Sequence, residues 1–289
     1  MENLEDHPIR GATELAMNSA PQSRFARSFP DRLFALILAA VFLAGWEIAA
    51  HLRWINALFF PAPSAIAYSF YAGIKSGELL MNLGATLGRA GSGLLFGCST
   101  GLVFGILLGS SARLRRLFDP IIGSLYAIPK LALFPLFLVI FGLGNSPRIV
   151  LIGLAAFFPM LINTIAGVRQ INPEYYEIAQ AYKANRRIIL QRVVLPGAIP
   201  SVLSGLRLAV GTALITAIAV ELMNAKDGLG AQIWWAWETL RTGDLYVAIL
   251  VTAMLGIGSH YLLEFLAHRL LPWQADDEQK TPANPIPEI

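Results

Sequence analysis

Residues 174–211 read EYYEIAQAYKANRRIILQRVVLPGAIPSVLSGLRLAVG, and they close a long polar connection, 169–205, between two apolar runs. Just upstream, Asn172-Pro173-Glu174 is a helix start: a capping side chain, a proline whose missing N–H costs nothing in the first turn, and an acid at the positive end of the helix dipole. Tyr175, Ile178, Ala179 and Tyr182 then recur at helical spacing, so they share one face. Asn185 can end that helix or cap a second one, whose apolar face runs through Ile188, Ile189 and Val193 to Pro196. Arg186, Arg187 and Arg192 give the pair a basic outer surface. From pattern alone two readings stand side by side: a docking element for a partner protein, or interfacial helices bound to anionic lipid.

Working outward, the rest of the chain is apolar. Of 289 residues 55% are hydrophobic and only 14% charged, about half the charged share of soluble domains. This composition excludes an ordinary soluble enzyme, a disordered chain and a disulfide scaffold; the single Cys98 has no internal partner. A spanning helix needs about 20 apolar residues, and runs of that kind fall at 33–50, 83–108, 118–141, 149–168, 206–223 and 245–266. The expected organisation is an N-terminal cytoplasmic tail (1–30), a first span with an outer loop (31–80), a core with its inner loop (81–271) and a C-terminal tail (272–289). With the N-terminus inside, fifteen Lys and Arg lie in cytoplasmic segments against five outside, while Arg89 and Lys130 fall within spans. That bias puts both termini in the cytoplasm.

Within the second span, Gly93, Gly97, Gly101, Gly105 and Gly109 keep a spacing of four and form a stripe where another backbone can approach. The third contains Pro120, Pro129 and Pro135, which favour kinks or broken turns. Arg89 and Lys130 are expected to snorkel, and their charge would favour an anion. Glu47 and His51, one turn apart, read as an interfacial pair in preference to a proton relay, and Glu221 as a solvated helix end in preference to a gating or substrate-binding group. Asn163, Thr164, Thr212, Thr216 and Glu221 are the polar candidates for a translocation path.

The stretch quoted above resembles the EAA loop of permease subunits in bacterial ATP-binding cassette importers. Glu177 matches the Glu of that motif, Ala179 its second Ala, and Leu195 and Pro196 its Leu-Pro; Val193 stands where Ile is usual. Ile178 replaces the first Ala and Lys183 the Gly, so a turn that favours positive φ carries a long charged side chain, with a bend expected across Lys183, Ala184 and Asn185. Residues 128–168, IPKLALFPLFLVIFGLGNSPRIVLIGLAAFFPMLINTIAGV, are similar to the subgroup importing nitrate, sulfonates, taurine or bicarbonate. The resemblance covers about residues 80–270. It implies an all-α polytopic protein of about six transmembrane helices in the type I importer (MetI-like) fold, located in the bacterial inner membrane. It also implies a coupling contact formed by Glu177, Ile178, Ala179, Tyr182, Lys183, Ala184, Asn185, Arg186, Leu195 and Pro196. The implied partners are two cytoplasmic ATPase subunits, a second permease copy, usually identical, an extracytoplasmic solute-binding protein and membrane lipid, with no nucleic acid.

No phosphate loop of the form G-x-x-x-x-G-K-[ST] occurs and no His or Cys pair has metal-ligand spacing, so no catalytic residue, cofactor or metal is assigned to the chain. ATP and Mg are expected on the partner ATPase. The rival from another class is an ion-coupled secondary transporter, which calls for paired interrupted repeats and midplane ionisable residues.

Overall fold

A computed structural model describes residues 29–270, and every regular element among them is helical. The chain divides into two units, the first ending at Asn56 and the second beginning at Ala57. In the first, α1 (Phe29–His51) is an apolar helix near whose end His51 Nε2 lies 2.9 Å from Glu47 Oε1, one turn away. Almost all of the expected N-terminal tail and the whole of the C-terminal tail lie outside the described residues.

The second unit opens with a helix the sequence reading did not anticipate. Pro63 and Ser64 start α2 (Pro63–Ser76), which ends at Gly77 in the left-handed conformation, φ +78°. That turn feeds directly into α3 (Glu78–Ser110). Next come α4 (Ala112–Ala127), a 3₁₀ turn (Lys130–Leu133), α5 (Phe134–Phe141) and α6 (Asn145–Arg169). After the inner connection, α9 (Leu195–Asn224), α10 (Leu229–Glu238) and α11 (Thr242–Leu270) complete the unit, with α7 (Pro173–Ala181) and α8 (Arg186–Ile189) inside the connection. Among the described residues five helices are long and apolar enough to cross a membrane, and the bent pair around Pro129 makes up to six.

The third run is therefore not one straight span. Ile128 is extended, as the residue before a proline prefers, and Pro135 stands in the first turn of α5, where its absent N–H is harmless. The two arms meet at 83°.

The core is a stack of α3 on α6 and of α6 on α9, built from small residues. A Cβ added at Gly93 would come within 2.6 Å of Ile152, one at Gly101 within 2.7 Å of the Phe157 carbonyl, and one at Gly97 would strike the Gly153 carbonyl. The stripe from Gly93 to Gly109 is thus taken up inside the chain, against α6. On its other side α6 meets α9 through Gly167 against Ser201 and Asn163 against Gly205. Ala209, Ala213 and Ala217 extend that seam, each 1% exposed or less, around Leu151, Ile152 and Phe134. Apolar tails supply little drive for helix association in lipid, so close backbone approach and van der Waals contact hold such a stack.

Candidate functional site

The inner connection is a capped, fixed structure. Asn172 Oδ1 accepts the Glu174 amide at 3.0 Å, its Nδ2 donates to Glu174 Oε2 at 3.2 Å, and Pro173 opens α7. At the other end Ala184 N–H donates to the Ala179 carbonyl (2.9 Å) and Lys183 N–H to that of Gln180 (2.8 Å). This paired 6→1 and 5→2 closure requires a left-handed residue after the helix. Lys183 occupies that place at φ +53°. The turn survives the loss of glycine, with an exposed lysine in its place. Asn185 Oδ1 then accepts the Ile188 amide at 2.9 Å and starts α8.

The second helix is not a separate short one, as pattern suggested. A π turn over Leu190–Val194 joins α8 to α9 without a break, so this span begins 20 residues before the expected position, at Arg186. A widened turn absorbs the register change that Pro196, lacking an N–H, imposes on the helix.

The faces of α7 follow from this frame. Tyr176 turns inward onto Val168, Ile171, Val194 and Ala198, and burial pushes its phenol above the usual range, so it stays neutral. The stripe picked out by spacing points the other way: Tyr175, Ile178 and Tyr182 are 60%, 55% and 85% exposed. Glu177 and Arg186 are exposed beside it, and Ala179 and Ala184 are half-buried. Leu195 and Pro196 are exposed at the start of α9.

A second polar constellation lies at the opposite ends of the same helices. Arg89 on α3 is 5% exposed and donates to Glu221 Oε1 on α9 at 2.8 Å. Its Nε donates to Asn145 Oδ1 (2.8 Å) and its Nη1 also to the Asp227 carbonyl (2.8 Å), while Nη2 meets the Asp227 carboxylate. Thr86 Oγ1 donates to Glu221 Oε2 at 2.8 Å, and the Gly230 amide donates to the same oxygen at 3.1 Å. Asn82 and Thr86 in turn accept the amides of Gly228 and Leu229. Two charges survive this burial because nearly every donor and acceptor is matched. Neither expected placement holds: Arg89 does not snorkel, and Glu221, 1% exposed, is not a solvated helix end. Gly228, at φ +110°, folds the chain over Glu221 so closely that a Cβ would overlap the carboxylate. The sequence reading missed Asn82, Thr86, Asn145 and Asp227. Only the spacing of Asn82, Thr86 and Arg89 along one face of a span was there to find.

Of the other path candidates, Asn163 Nδ2 donates to the Pro159 carbonyl at 2.8 Å and Thr212 Oγ1 to that of Ala155 at 3.2 Å. Thr164 is fully buried under Gly105, and Thr216 is 8% exposed on α9. None of the four lines the polar cavity of about 320 Å³, which is walled by Arg89, Leu143, Gly144, Asn145, Arg148, Lys226 and Asp227.

A family model described as the binding-protein-dependent transport system inner membrane component matches residues 101–273. A Bacillus subtilis (strain 168) protein that bears the name aliphatic sulfonates transport permease protein SsuC is 35% identical over 83% of this chain and 87% of its own. The taurine transport system permease protein TauC of Escherichia coli K12 is 34% identical over 82% and 88%. The nitrate import permease protein NrtB of Leptolyngbya laminosa is 31% identical over 73% and 75%. Among solved structures, a chain of the MetNI methionine ABC transporter in an inward-facing conformation superposes with a TM-score of 0.55, covering 65% of this chain and 91% of that one at 23% identity, which is a likeness of fold.

Proposed function

Because the chain belongs to the family of binding-protein-dependent transport system inner membrane components, we propose that it is the permease of an ATP-binding cassette importer for a small anion, a sulfonate, taurine, nitrate or bicarbonate. The chain carries solute and leaves hydrolysis of Mg-bound ATP to two cytoplasmic ATPase subunits. A second, identical permease completes the pore, and an extracytoplasmic binding protein delivers the solute. Both termini and the inner connection face the cytoplasm, in keeping with the basic residues there. The names of the relatives support the substrate class.

The observation that carries the coupling role is the outward stripe Tyr175, Ile178 and Tyr182 on a helix fixed at both ends. Large apolar side chains so exposed, beside Glu177, suit a socket on another protein, with Ala179 small where the partner comes close. A helix that only rested on lipid would have no use for a carboxylate beside the anionic surface.

Replacing Ala179 with Trp should overpack this contact by about 1–3 kcal/mol. Truncating Glu177 to Ala should cost about 2–5 kcal/mol if the carboxylate is paired across the interface. The measurement is ATPase copurified per permease, together with substrate-stimulated hydrolysis in vesicles. Both variants should lose one or the other while inserting normally. Parental values for both variants in both assays would refute the coupling role, and lipid docking predicts a neutral or improved Glu177→Ala.

A further inference from the structure

The third span breaks at Pro129, and the break carries a charge. Lys130 is the one Lys, Arg, Asp, Glu or His between Asp119 and Arg148. Its ammonium stands 5.3 Å from the ring centre of Phe158, a residue that lies 13 positions from Asn145 and 11 from Arg169 in α6. At about 1.5 Å per residue that is mid-depth in a spanning helix, about 17–20 Å from either end. The side chain does not snorkel: Nζ turns back to donate to the Tyr126 carbonyl at 2.7 Å and lies 4.2 Å from the centre of the Tyr126 ring. That carbonyl is the acceptor an unbroken helix would give to the Lys130 amide. Ring faces and a carbonyl steady a cation without cancelling its charge, and among the described residues no carboxylate is paired with it.

What the break faces follows by elimination. No residue of α4 or of the 3₁₀ turn is buried by the rest of the chain, and Ile128 and Leu131 are 38% and 40% exposed. Irregular backbone is not found against lipid within the hydrocarbon region, and an ammonium without a counter-charge is too costly for a dry protein contact. A water-filled path satisfies both conditions. We propose that Lys130 is the charge that selects anions in the translocation path, drawing a small oxyanion such as a sulfonate, nitrate or carboxylate across the middle of the membrane. The inference rests on the importer reading and deepens it, by naming the residue that favours a negatively charged solute. A single cation in water holds an anion weakly enough to let it leave again, as passage requires.

The probes are three thiol reagents, the anionic sulfonatoethyl, the cationic trimethylammonioethyl and the neutral methyl methanethiosulfonates. They are applied to the full-length permease in phosphatidylcholine nanodiscs, with the subunits it carries, in a Cys98→Ala background. Lys130→Cys should react with both charged reagents. Ile128→Cys and Leu131→Cys, in chains that keep Lys130, read its charge: adding Lys130→Gln should lower the ratio of anionic to cationic rates about tenfold, because one unit charge a few ångströms away acts with opposite sign on the two reagents. Lys130→Arg should keep the ratio. The neutral reagent reads any change in exposure, so a loosened fold, which alters all three rates together, is not mistaken for a lost charge. A ratio that Lys130→Gln leaves unchanged at both flanks overturns the proposal and leaves Lys130 as a cap on α4. Charged reagents that fail to reach position 130, or both flanks, overturn it too, since the break then faces no water. ATPase copurification reads the importer assignment separately: an assembled complex whose ratio ignores Lys130→Gln keeps the importer and loses the selecting charge, and a chain that captures no ATPase but shows the fall in ratio does the reverse.

Discussion

Lys183 sets the tension between sequence and backbone at the scale of one residue. A left-handed conformation crowds the Cβ of any residue but Gly, at about 1 kcal/mol for an unbranched side chain, yet the closure of α7 is complete with lysine in that position. Lys183→Gly should therefore keep the thermal midpoint of the detergent-solubilised permease or raise it slightly. Lys183→Val should lower it, since a β-branched side chain at positive φ is strained further. A midpoint for Val equal to that of the parent would show that the turn is not held left-handed. The ion pair of Arg89 and Glu221 behaves differently, because removing one partner strands the other in a dry site. Glu221→Gln should cost about 3–5 kcal/mol of stability, and in a double-mutant cycle with Arg89→Gln the second change should cost much less than the first. The substitution at 183 was visible in the sequence, where it raised the question the backbone answers. The pair was not, since its members lie 132 residues apart and each alone reads as a snorkelling or solvated charge.

Among the elements, α3 separates what periodicity reveals from what it hides. Gly93 to Gly109 recur every fourth residue, and Gly84 and Gly88 keep the same spacing one residue out of phase, but only the first set carries the packing. Gly97 and Gly101 abut backbone carbonyls of α6, whereas a Cβ at Gly84 or Gly88 meets nothing within 4 Å. Gly97→Leu or Gly101→Leu should cost at least about 3 kcal/mol, since a backbone cannot yield as a side chain does. Folded yield after detergent extraction should fall sharply. Gly84→Leu and Gly88→Leu should leave it near the parent. Equal losses at all four positions would contradict the stack of α3 on α6. Long apolar runs made the major spans legible because the length a bilayer demands is written in composition. The helices α2 and α10 were missed because they are short, with α10 set among turn residues, and neither has the length that signals a span. The fused start of α9 was hidden by Pro196, a residue that ordinarily marks a boundary and here sits beyond a π turn.

For the whole molecule, the account is that of a membrane stack with two working ends. One end carries the capped α7 with its exposed aromatic stripe, and the other carries the buried ion pair and its cavity. The helices α3, α6 and α9 pack closely against one another between these ends. That architecture has meaning only if α7 meets an ATPase on the cytoplasmic side. A single cysteine at Tyr182, in a Cys98→Ala background, tests this most directly through labelling by a membrane-impermeant maleimide. The account predicts no labelling in intact cells, rapid labelling in inverted vesicles stripped of ATPase, and protection when the ATPase subunit is restored. Labelling from outside intact cells, or an unchanged rate after the ATPase is restored, would contradict it.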